Sequence, residues 1–94
     1  MLDLILVALI SFSDNKPKVV HSNKPIKNLT YRSAGKVDIL LNDEIKECFC
    51  EAVAGYQFQC TVKIDTNLVK IAISRDGGFI NKDFRIICYG ESEL

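Results

Sequence analysis

Apolar positions along this 94-residue chain fall into short blocks, and the spacing inside a block changes from one block to the next. Residues 2–11 are a nearly unbroken apolar run containing Ile5, Val7 and Ile10, the pattern of a central strand buried on both faces. Ser13-Asp14-Asn15-Lys16-Pro17 interrupts it with turn chemistry. Residues 37–41 alternate and then run apolar, which predicts a short strand. Residues 57–65 alternate strictly. Phe58, Cys60, Val62 and Ile64 point one way, and Gln59, Thr61, Lys63 and Asp65 the other, as in a half-solvated antiparallel strand. Asp65-Thr66-Asn67 reads as a tight turn, after which Val69, Ile71 and Ile73 return inward. Asp76-Gly77-Gly78 is a strong hairpin signal because glycine adopts positive φ freely. Phe79-Ile80 and residues 84–89 complete a three-strand meander.

Between Asn42 and Tyr56 the apolar spacing shifts to three and four. Ile45, Cys48, Phe49, Ala52, Val53 and Tyr56 then share one face of a helix, with Lys46, Glu47, Cys50 and Glu51 on the other. Asn42 suits the N-cap, Asp43 and Glu44 the first turn, and Gly55 the C-terminal stop. The pattern therefore predicts an α+β fold: a single helix packed on an antiparallel sheet of four to five strands, in the order strand, long loop, strand, helix, three-strand meander. The length predicts one domain over residues 1–94. One helix covers only part of a sheet whose first strand is apolar on both sides, so a homodimer is expected.

Composition changes this picture mainly in residues 13–36. Pro17 and Pro25 each lack a ladder donor, so a strand there is short and at an edge; Leu29 to Arg32 is a candidate. The segment reads as a basic loop. Residues 1–36 carry six basic side chains against two acidic, a balance of +4, and residues 37–94 carry six against ten, a balance of −4. The sequence pI near 6.5 speaks against nucleic acid as the chief partner. Residues 4–12 have the length of a signal-peptide core, but Asp3 precedes them without Lys or Arg, and no small-residue cleavage site follows. The run is also far short of the ~20 residues of a membrane span. These readings point to a cytoplasmic protein that does not span a membrane.

Candidate chemistry is sparse. Cys48, Cys50, Cys60 and Cys88 lack zinc-finger spacing. Cys48, Cys60 and Cys88 take inward positions and read as small buried hydrophobes in a reducing compartment, with one disulfide among them as the alternative. Cys50 is placed on the polar helix face. His21 is the sole histidine, and catalysis would need it beside Cys50. Asn28-Leu29-Thr30 is a glycosylation sequon. No catalytic residue, metal site or cofactor is assigned.

The function expected is that of a small non-enzymatic protein-interaction module. Its size and Lys/Asn/Ile-rich, Trp-free composition would suit a phage, viral or plasmid accessory or inhibitor-type factor that binds a host or partner protein. Lys16, Lys18, Lys24, Lys27 and Arg32 would form one contact surface, and Glu47, Cys50 and Glu51 the other. Nucleic-acid binding through residues 16–36 is the alternative. A further one comes from Glu51-Ala52-Val53-Ala54-Gly55, which resembles the Q-x-V-x-G hairpin of cystatin-type cysteine protease inhibitors, with Glu51 in place of the Gln. That resemblance implies a loop that wedges into a protease cleft.

Overall fold

The computed structural model describes residues 2–53 and 57–91, and it pairs two antiparallel sheets around one apolar interior. Among the described residues the elements are nine strands and no helix: β1 (Asp3–Ser13), β2 (Lys16–Ser22), β3 (Asn28–Ser33), β4 (Lys36–Leu40), β5 (Glu44–Ala52), β6 (Gln59–Asp65), β7 (Leu68–Arg75), β8 (Gly78–Phe79) and β9 (Phe84–Glu91). Sheet A has the order β2-β1-β9-β5. Sheet B has the order β3-β4-β7-β6, and the short β8 pairs with the end of β7. No helix among the described residues is long and apolar enough to cross a membrane.

Local turn chemistry sets the hairpins. Asp14 and Asn15 both have positive φ and join β1 to β2, with Ser13 opposite Lys16. Asp76 and Gly77 do the same between β7 and β8. Two central residues with positive φ match the right-handed twist of the flanking strands. At the β3–β4 turn Gly35 has φ +72°, and an added Cβ would lie 2.5 Å from the Ile73 carbonyl oxygen and 2.7 Å from the Ile80 nitrogen. Only glycine allows that approach.

The alternation of each strand supplies the interior. Leu6, Ala8 and Ile10 of β1 and Phe84, Ile86 and Cys88 of β9 point from sheet A; Val37 and Ile39 of β4 and Val69, Ile71 and Ile73 of β7 point from sheet B. All are buried, and the half-buried Cys60, Val62 and Ile64 of β6 pack against them. β1 is the central strand anticipated from its apolar run, flanked by β2 and β9, but it is not buried on both faces: on its outer side Leu4 is exposed and Val7 and Leu9 are half-buried. A register shift between Leu4 and Leu6 buries both Ile5 and Leu6. Residues 13–36 are not one long basic loop. They hold the edge strands β2 and β3, which lie in different sheets.

The α+β expectation is overturned at β5. Residues 43–56 were expected as a helix, but residues 44–52 form an edge strand paired with β9. The reason is a bulge. The register shifts between Ile45 and Glu47, so the inward positions run Ile45, Cys48, Cys50, Ala52. The single extra residue turns a period of two into a gap of three, which imitates one helical turn. Phe49, placed on the inner helix face, points outward, and Cys50 points inward. Asn42 and Asp43, read as a helix start, instead make the corner where the chain crosses from sheet B to sheet A. There the Leu41 and Ile45 amides donate to the Asn67 and Thr66 carbonyls at 2.9 and 2.8 Å. The Asn67 side-chain amide donates to the Leu41 carbonyl at 2.9 Å. Asp43 is buried and pairs with Lys24 at 2.5 Å.

Candidate interaction surfaces

A two-layer sandwich leaves each sheet one outer face, and the two outer faces differ in chemistry. On sheet A the outward positions are Leu4, Val7 and Leu9 of β1, Arg85, Ile87 and Tyr89 of β9, and Glu47, Phe49 and Glu51 of β5. The register lines them up in rows. Val7 lies opposite Ile87, which lies opposite Phe49. Leu4, Tyr89 and Glu47 make the next row, and His21, Leu9, Arg85 and Glu51 the one on the other side. Phe49 and Leu4 are 57% and 51% exposed. Two shallow depressions of about 340 and 230 Å³ flank Ile87, one over Val7 and Leu9, the other beside Phe49. The centre of this face is therefore an apolar patch of the kind that marks interaction sites. Its borders are charged. Lys16 and Lys18 project from β2 at one edge, and Glu47 and Glu51 from β5 at the other, with Arg85 donating to Glu51 at 3.2 Å.

Sheet B presents a basic cleft of about 530 Å³, lined by Arg32, Lys36, Thr61, Lys63, Lys70, Ala72 and Phe79. The two-residue connection at Thr66-Asn67 sets Lys63 directly opposite Lys70. Like charges in that position repel. Asp38 lies opposite Lys70 on its other side and sits 3.7 Å from Arg32. The Lys36 ammonium lies 4.2 Å from the centre of the Phe79 ring.

The cysteines correct the reading of Cys50 as an exposed thiol and of Cys60 as a small buried hydrophobe. Cys50, assigned to an exposed helix face, forms a disulfide with Cys60 that links β5 of sheet A to β6 of sheet B. The inward face of β5 explains the pairing, since residues two apart on a strand share a side and the sandwich brings the two edge strands together. Cys48 and Cys88 are free and lie directly opposite each other across β5 and β9. The Cys88 thiol donates a hydrogen bond to the Cys48 sulfur, and this bond together with burial pushes Cys88 well above its ordinary range. A catalytic Cys50–His21 pair has no free thiol to use. Cys50 is oxidised and faces inward, whereas His21 is exposed on the outer side of sheet A. Among the described residues no three His, Cys, Asp or Glu side chains converge as metal ligands would.

The partner-contact residues chosen from sequence are dispersed. Lys16, Lys18, Glu47 and Glu51 share the outer side of sheet A. Lys24 is held by Asp43, Lys27 is exposed on the β2–β3 connection, Arg32 lies on sheet B, and Cys50 is internal. Sequence reasoning missed Val7, Leu9, Phe49 and Ile87, although adjacent apolar residues such as Ile86-Ile87 signal a strand apolar on both sides. It also missed the Lys63–Lys70 pair, which the hairpin register would have shown. Of the cystatin-like stretch, only Glu51, Ala52 and Val53 fall among the described residues. Glu51 and Ala52 lie in strand β5, while Ala54 and Gly55 fall outside the described residues, as does Tyr56 of the expected helix. No protein-family model, curated protein or solved structure matches the chain.

Proposed function

We infer that this protein acts by binding rather than catalysis, as a self-associating protein-interaction module whose docking face is the outer side of sheet A. The apolar row Val7–Ile87–Phe49 carries the reading. Burying such residues stabilises an interface by about 25 cal/mol per Å² of apolar surface. The occupant is a second copy of the chain, and charge complementarity supports that choice. One edge of the face is basic and the other acidic. A two-fold axis along the strands would lay the β2 edge of one copy over the β5 edge of the other, so that Lys18 and His21 approach Glu51. An axis across the strands would set like charges together. The molecule measures 40 × 23 × 21 Å, so the face can supply the ~800 Å² per partner of a standard interface. Aligned packing of the two outer faces would be a sheet-on-sheet contact like the interior itself.

The Cys50–Cys60 bond favours an oxidising setting for this activity over the cytoplasm expected from sequence, since the cytosol keeps such pairs reduced.

Sedimentation analysis tests the reading. The expected wild-type mass is twice the 10.6 kDa monomer at micromolar concentration. Ile87→Asp should return it to the monomer without loss of strand signal in circular dichroism. Lys18→Glu and Glu51→Lys should each weaken the dimer, and combining them should restore it. A wild type that stays monomeric at ~100 μM, well above the range typical of specific complexes, would refute self-association.

A further inference from the structure

The basic cleft on sheet B has no part in that interface, because it lies on the opposite side of the sandwich. We propose that it is a binding site for single-stranded nucleic acid, with Lys36, Lys63 and Lys70 on successive phosphates and Phe79 stacking a base.

The charge arrangement is the first support. Among the described residues, four cations and no carboxylate line the cleft; Asp38, opposite Lys70 on β4, lies 3.7 Å from Arg32. Lys63 and Lys70 face each other directly across β6 and β7, an arrangement that disfavours the free fold and that an anion between them would relieve. The spacing is the second. Lys36 lies opposite Ala72, two residues along β7 from Lys70. Two residues of strand span about 6.8 Å, comparable with the step between phosphates in an extended single strand. The third is Phe79. It is half-exposed, projects on the same side as the lysines, and is approached by Lys36. A base can stack on such a ring whatever its identity. The cleft is open along the sheet and lined by flexible cations, so it suits a chain that runs through it better than a small ligand that needs enclosing walls.

These residues differ from the basic segment singled out in the sequence. Of that segment only Arg32 and Lys36, its last residue, line the cleft. The other cations come from the β6–β7 hairpin, 27 or more positions further on, which is why no local run of charge announced the site.

Fluorescence anisotropy with a fluorescein-labelled T12 oligonucleotide tests the proposal. The logarithm of the wild-type affinity should fall linearly with that of salt, with a slope of about −2 for three phosphates neutralised on a single strand. Lys63→Glu should weaken binding at least tenfold. It should not lower the thermal midpoint, because the new carboxylate faces Lys70. That combination separates a site residue from a residue needed for folding. Phe79→Ala should weaken binding by roughly tenfold, as loss of one stacked base does. Lys27→Glu, an equal change in net charge outside the cleft, should leave affinity within twofold. Absence of T12 binding by the wild type in 50 mM salt would overturn the proposal. So would equal losses in Lys27→Glu and Lys63→Glu, an unchanged affinity in Phe79→Ala, or tighter binding of a 12-base-pair duplex than of T12.

Discussion

Reduction of the Cys50–Cys60 disulfide is the sharpest perturbation of this fold, because it removes a constraint while leaving both side chains in place. The bond closes a short loop, with ten positions separating its cysteines, and ties β5 of one sheet to β6 of the other. In the chain-entropy treatment, a loop of this length restricts the unfolded state by about 9 cal/mol/K, or about 2.7 kcal/mol at room temperature. A domain of this size commonly holds 5–15 kcal/mol in total, roughly, so the bond supplies a sizeable share. Urea unfolding followed by far-ultraviolet circular dichroism, with and without reductant, measures it. With a urea dependence of about 1–3 kcal/mol/M, the midpoint should fall by roughly 1–2.5 M on reduction. Thiol titration of the unfolded chain provides the count: two reactive thiols, Cys48 and Cys88, before reduction and four after it. Equal midpoints, or four thiols in the unreduced chain, would refute the reasoning.

Two other outcomes follow from the packing. Gly35→Ala forces a Cβ against the Ile73 and Ile80 backbones at a residue with φ +72°, and should cost about 2 kcal/mol or more. Gly77→Ala has positive φ but open space, so it should cost less, and paired thermal melts would show the difference. The raised Cys88 thiol adds a pH dependence. The folded state holds that proton more tightly than the unfolded state does. Stability is therefore fully present below the ordinary thiol range and declines above about pH 8.5. A Cys88→Val variant should lose this decline in urea midpoints taken between pH 8 and 10.

Most strands were legible in the sequence because their alternation is local. Residues 57–65 show it plainly, and the turn at Asp76-Gly77 is written in its residue types. β5 was not legible. Its bulge breaks the period at Lys46, and its outward Phe49 adds an apolar residue where a half-solvated strand should carry a polar one. Pairing with β9, some 40 residues away in sequence, decides its conformation, and long-range pairing of this kind overrides a local helical pattern. The division into two sheets was also hidden, since a run of consecutive strands reads equally well as one meander. β9 leaves its neighbour β7 to pair with β1 at the other end of the chain. The disulfide depends on which way Cys50 points, and that reversed when the helix became a strand. Lys16, Lys18, Glu47 and Glu51 were found as charged surface positions, but their common face became evident only when β2 and β5 were placed at opposite edges of one sheet.

The inter-sheet disulfide also makes the molecule asymmetric, like a book. Its spine is the side where β5 and β6 are covalently bound and in close contact; its fore-edge is the side where β2 and β3 meet more lightly. Local opening should begin at the fore-edge, where Val19, Ile26 and Leu29 are the half-buried residues between the layers. Amides of β2 and β3 should accordingly exchange with solvent well before those of β7 and β9, and water should reach the interior from that side first.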